Sequence, residues 1–332
     1  MEKKNYNLYI ECMRIILTIY IILMHGEYLF RNISAGRIYE GGYLGVEFFF
    51  IVSGYYIAYK SENGINIKDY IKSRFIILYP HYVTSLFCCF FAKLILNFNN
   101  IGIKLKDLFW SLLMIQNFGL DIELYNGILW YVTYLFLVGT LIYFILTKTK
   151  REKVYTLIFI IIILVFYFLY FYYYKTIDNV SQVIIIFPLG FYRALSDMLM
   201  GVLLFKANSK LQYAGNNILL TIIIIVLSSV ALYISFCKPH SYYDLLVVLC
   251  FLACIFLSNM IEFKSSNQVK IIITYLGKKT YPLYCYQLVG FYIVEYFVPI
   301  NNPLFLLAIC VLIAFLFDII VKILSNKLVR RS

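Results

Sequence analysis

The stretch ECMRIILTIYIILMHGEY, residues 11 to 28, sets two side chains able to do chemistry inside an apolar run. Arg14 can hold an anion, and His25 can take up and return a proton near neutral pH. At about 100° per residue, eleven steps come within roughly 20° of three full turns, so the two share one face of a helix. They stand about 16 Å apart along its axis at 1.5 Å per residue. Glu11 and Thr18 fall close to the same stripe. Each group has a plain alternative. Arg14 can snorkel to an interface, and His25, followed by Gly26 and Glu27, can be interfacial or a satisfied interhelical bond. An ionisable group inside a membrane span is nevertheless costly enough to mark a functional site by default.

A second stretch, GGYLGVEFFFIVSGYYI, residues 41 to 57, carries Glu47 one turn into an otherwise apolar helix. Ser53 and Gly54 interrupt its middle and let a neighbouring helix approach closely. Glu47 needs a partner, and a histidine at the same membrane level would serve. A carboxylate bonded to imidazole fixes its tautomer and raises its basicity, so the expectation is a Glu47–His25 pair. Further along, Arg193 either lends positive charge to the site or forms an ion pair with Asp197, one turn on. His81 and His240 follow Pro80 and Pro239 near expected membrane edges, where packing or solvation accounts for them. No Cys/His spacing resembles a zinc site, so no metal is expected.

These residues must be held by membrane helices. The chain has 332 residues, 63% hydrophobic and only 14% charged, with a mean hydropathy of +0.83. A soluble domain carries about 25% charged residues. Runs such as LIFIIIILVFYFLYFYYY exclude the weak alternation of a β-barrel. The fold class expected is all-α: a polytopic membrane protein of about ten transmembrane helices. Candidate spans lie near 8–30, 43–59, 75–96, 127–147, 154–174, 183–205, 216–236, 243–261, 280–299 and 303–325. The run at 108–118 is too short to cross and is expected to be re-entrant or interfacial. The first span lacks a cleavage site and is expected to be retained. One membrane domain over 1–332 is expected, with no fused soluble domain.

The net charge of +12 does not mark a nucleic-acid protein. With an inside N-terminus, Lys60, Lys68, Lys72, Arg74, Lys148, Arg151, Lys206, Lys210, Lys278, Lys279 and most other basic residues fall in cytoplasmic loops. Only Arg31, Arg37, Lys104, Lys106, Lys175 and Lys238 fall outside. That asymmetry is the positive-inside pattern and predicts both termini in the cytoplasm.

Arg14 and His25, then GVEFFFIVSG, then SRFIILYP, together resemble the acyltransferase-3 family of integral membrane O-acyltransferases. LLMIQNF followed by LWYVTYLF, Arg193 and YPLYCYQ are weaker echoes. The resemblance implies a multi-pass protein of the bacterial plasma membrane. It would move an acyl group, commonly acetyl from acetyl-CoA, to a hydroxyl of a cell-surface polysaccharide or lipid-linked glycan, among membrane lipids. It makes His25 the catalytic residue, with Arg14 as its partner. Three positions depart from the family pattern: Ile77 stands where a second arginine is frequent, Leu135 where glutamate often is, and Gln287 where histidine is frequent. Donor phosphates would then rest on Arg14, Lys72 and Arg74, with Lys68 near; charge-assisted bonds suit phosphate. Arg193, Tyr281, Tyr284 and Gln287 are candidates for lining the acceptor site. Direct transfer and a covalent acyl-enzyme both suit these residues. The rival class is a transporter, flippase or polymerase for lipid-linked glycans, whose pathways also carry buried charge; no inverted repeat is visible.

Overall fold

The computed structural model describes residues 7–29, 39–96, 101–118, 122–149, 151–184, 186–211, 214–297 and 303–329. These form eleven α-helices: α1 (Leu8–Leu29), α2 (Gly45–Glu62), α3 (Ile67–Leu96), α4 (Ile101–Leu112), α5 (Trp130–Lys148), α6 (Glu152–Tyr173), α7 (Leu189–Ser209), α8 (Ile218–Cys237), α9 (Tyr243–Ser258), α10 (Asn267–Phe297) and α11 (Pro303–Val329). Seven of them, α1, α2, α3, α5, α6, α8 and α11, are long and apolar enough to cross a membrane. The chain is therefore an all-helical, multi-pass membrane protein. α9 is apolar but shorter. α7 and α10 carry Arg193, Asp197, Lys279 and Gln287, and such side chains lower their hydropathy.

Every expected span coincides with a helix, but three boundaries differ. Residues 183–188 are a small antiparallel hairpin, β1 (Val183–Ile184) against β2 (Phe187–Pro188), so α7 begins only at Leu189. α3 and α10 begin at Ile67 and Asn267, well before the expected 75 and 280, because their polar first turns lie outside the apolar windows. The short run expected at 108–118 belongs to α4, which starts at Ile101 and ends at Leu112. α4 is tied to α3 by Tyr82, whose hydroxyl donates to the Ser111 carbonyl at 2.6 Å, and by Tyr79, which donates to Leu112 at 3.1 Å.

α2 lies at the centre and α6 and α8 at the periphery. The apolar window of α2 is 89% buried, against 17% for each of the other two. The central contact is α2 on α7, and glycine makes it possible. A Cβ on Gly54 would collide with the Met198 carbonyl, and one on Gly201 with the Ile51 carbonyl. The two backbones thus touch at reciprocal glycines, as small residues allow in membrane helices. At one end of the bundle Tyr70 of α3 stacks on Tyr143 of α5, centroids 3.9 Å apart. At the other end Tyr43, just before α2, meets the α8–α9 turn at His240.

Candidate active site

His25 lies four residues before the end of α1 and is only partly buried. Its Nδ1 is 3.0 Å from Gln287 Oε1 on α10. The orientation of that amide is fixed by its other end, because Gln287 Nε2 donates to the Tyr284 carbonyl at 2.9 Å. The oxygen therefore faces the imidazole, and Nδ1 must carry the hydrogen that reaches it. Nε2 is left with its lone pair. Gln287, expected among acceptor-lining residues, is fully buried and acts on the histidine instead.

The expected Glu47–His25 pair does not form. Glu47 is fully buried on the α7 side of α2, where its Oε1 accepts from Arg193 Nε in a short ion pair. α2 turns this face to α7 because Gly54 and Gly201 bring those two helices together, while His25 faces α10. Arg193 also donates from Nη2 to the Tyr43 carbonyl at 2.9 Å and lies 4.0 Å from Asp178. Its guanidinium is 5.6 Å from the Trp130 ring centroid. Burial pushes the Asp178 carboxyl, in the loop before α7, up to about 6, although Arg193 and His240 pull the other way. Asp197 makes no salt bridge to Arg193 among the described residues; it takes the Tyr167 hydroxyl at 2.6 Å and lies within hydrogen-bonding reach of Glu47. Glu47 Oε2 and Asp197 Oδ2 are both buried and lack any donor.

Arg14 is half-buried and held on its own helix. Its Nη1 donates to both Glu11 oxygens, at 3.1 and 3.3 Å, and its Nη2 to Thr280 on α10 at 3.3 Å. Both Arg14 and Arg74 lie within electrostatic reach of Tyr131, whose hydroxyl sits beside Ser53. Arg74 lies beside the Tyr70 ring, 5.6 Å from its centroid. Lys72, two residues and so about 200° away on α3, projects from the opposite face and is exposed. Lys72 and Arg74 do not converge. Tyr281 and Tyr284 spend their hydroxyls on the carbonyls of Leu78 (2.6 Å) and Ile128 (2.8 Å), so they brace α10.

One cluster was not legible beforehand. His81 is buried within α3, its Nδ1 3.3 Å from the Tyr286 hydroxyl and its Nε2 3.6 Å from Asp318 of α11. Asp318 also pairs with Lys279 and, at 2.8 Å, with Lys322. His81 is not at an edge, because Pro80 stands inside α3 rather than ending it. The signal available was Asp318 itself, a carboxylate in an apolar run. Among the described residues no group of three His, Cys, Asp or Glu could hold a metal ion.

No curated protein and no solved structure matches this chain. A family model described as an acyltransferase domain, acyltransferase 3, matches residues 7–322. The matched segment runs from the start of α1 into the last helix and takes in His25, Arg14, Arg74 and Gln287, so the chain belongs to the acyltransferase-3 family and is a membrane acyltransferase.

Proposed function

We propose that the protein is an O-acetyltransferase of the bacterial plasma membrane, moving acetyl from cytoplasmic acetyl-CoA to a hydroxyl of a cell-surface polysaccharide or lipid-linked glycan. The observation that carries this is the Gln287–His25 bond, which supplies an imidazole with a free Nε2 near the outer end of α1. The anionic part of the donor stays at the Arg74 end, and Arg14 guides its thioester arm inward past Tyr131. His25 Nε2 takes the acceptor's proton as its oxygen attacks the thioester carbonyl. The C–S bond breaks, the acyl group stays on the acceptor oxygen, and the proton passes to the departing thiolate. Gln287 keeps the imidazole in the tautomer this requires. As a neutral acceptor it orients the ring but stabilises the imidazolium less than a carboxylate would.

His25→Ala tests this. With equal protein levels, base-labile O-acetyl groups on the purified surface glycan should fall to background, since general-base help is worth roughly 10²–10⁴ in rate. NMR before and after mild base reads the content. Full acetylation in that strain would overturn the assignment and favour a glycan transporter.

A further inference from the structure

Lys60 stands two residues before the end of α2, and Arg74 one turn after Tyr70 on α3. The short turn between the helices brings them to the same ring: Lys60 Nζ is 5.9 Å from the Tyr70 centroid and the Arg74 guanidinium 5.6 Å. They are close enough for each charge to act on the other. Neither makes an ion pair with a carboxylate among the described residues. The ring itself cannot yield, because Tyr70 is 1% exposed and stacked on Tyr143, whose hydroxyl is tied to the Ile65 carbonyl in the turn. Two part-buried like charges are thus held together against their repulsion, with the aromatic face and, for Arg74, the neutral Tyr70 hydroxyl as their partners there. An anion in reach of both would relieve that repulsion and gain charge-assisted hydrogen bonds. On α3 itself no second cation joins Arg74: Lys72 points the other way, and Ile77, one turn along the same face, is apolar.

We propose that Lys60 and Arg74 form one phosphate seat, with Lys60 as a donor-binding residue for a phosphate or pyrophosphate group. It rests on the donor assignment above, because the seat opens at the end from which Arg74 leads to Tyr131 and Arg14. The same chemistry is found on anionic lipid headgroups, so the source must be separated by experiment.

The test uses the full chain in lipid nanodiscs and measures binding of coenzyme A and of inorganic pyrophosphate by calorimetry. Variants are Lys60→Met, Lys60→Arg and, as a control for bulk charge, Lys148→Met at the exposed end of α5. Lys60→Met should weaken both ligands by roughly ten- to a hundredfold, the loss of one charge-assisted contact. Lys60→Arg should restore most of the affinity, and Lys148→Met should change little. If pyrophosphate binds and is lost in Lys60→Met while coenzyme A does not bind, the seat stands and the donor assignment falls. Wild-type affinity in Lys60→Met, or no binding of either ligand to the wild type, overturns the seat. Binding abolished by adding anionic lipid to zwitterionic discs assigns the pair to a headgroup and overturns its role toward the donor.

Discussion

Two side-chain pairings decide how single substitutions behave. Gln287 touches His25 and Glu47 touches Arg193, so their loss should differ in kind. Gln287→Leu removes the acceptor for Nδ1–H and should lower acetylation about ten- to a hundredfold at unchanged protein level. Gln287→Glu, whose carboxylate can take the same hydrogen, should restore activity; failure of that rescue would show that the contact does not position the ring. Glu47→Gln, by contrast, leaves Arg193 buried without its nearest carboxylate, a loss worth about 3–5 kcal/mol. The yield of folded protein should drop, as His25→Ala should not. Asp197→Asn should be tolerated or stabilising, because its oxygen keeps the Tyr167 bond while its amide can donate to the donorless Glu47 Oε2. Asp197→Leu leaves both neighbours unpaired and should cost about 1–3 kcal/mol in thermal unfolding. Arg14 and His25 were legible in the sequence because both lie on one helix, whose 3.6-residue period fixes their relation. The partner of Glu47 was not, since it depends on how α2 is rotated against α1 and α7. Gln287 was visible only as a departure from a family pattern.

Helices were easier to read than their edges or their contacts. Apolar runs located a helix at each of the ten expected positions, and seven of these helices are long and apolar enough to cross hydrocarbon. The VIIIFP segment misled because a short apolar hairpin and a helix read alike, and hydropathy does not distinguish them. Pro80 misled as an edge marker, because it stands inside α3 as Pro282 stands inside α10. Membrane helices tolerate an internal proline where neighbouring groups take up the carbonyl it frees. Ser53–Gly54 was legible as a close-approach site, but its partner, Gly201 on α7, was not. Their contact predicts a graded series. Gly201→Ala drives a Cβ against the Ile51 backbone of α2, which has no side chain to rotate away. It should destabilise by about 1–3 kcal/mol or abolish folding. Gly139→Ala meets the end of the Ile57 side chain at 3.2 Å and, at ordinary contact distance, the Tyr70 hydroxyl, and should be nearly neutral. Equal thermal stability of the two variants would show that α2 and α7 do not meet at these glycines.

At the scale of the whole molecule, the two ends of the bundle differ in chemistry. One end gathers Lys60, Arg74 and Lys148; the other holds Glu40, Asp178 and His240, with the imidazole 3.6 Å from both carboxylates. A donor rich in phosphate suits the first, for which the positive-inside rule predicts a cytoplasmic position. A transferase joining a cytoplasmic donor to an outer acceptor works only in that orientation, so topology tests the mechanism as sharply as any active-site variant. The protein carries its own probe. Cys237, at the end of α8 near His240, is exposed, whereas Cys89, Cys250, Cys254, Cys285 and Cys310 are buried. A membrane-impermeant maleimide applied to intact cells should therefore label the protein at Cys237, and Cys237→Ser should remove most of the signal. Thr149→Cys, placed in the Cys237→Ser background at the exposed end of α5, should label only after the membrane is permeabilised. The two thiols lie at opposite ends of the bundle, so one experiment reports both faces. If Thr149→Cys labels in intact cells and Cys237 does not, the basic end faces outward. Acetyl-CoA could then not reach Arg74 from the cytoplasm, and the proposed path from donor to His25 would fall with it.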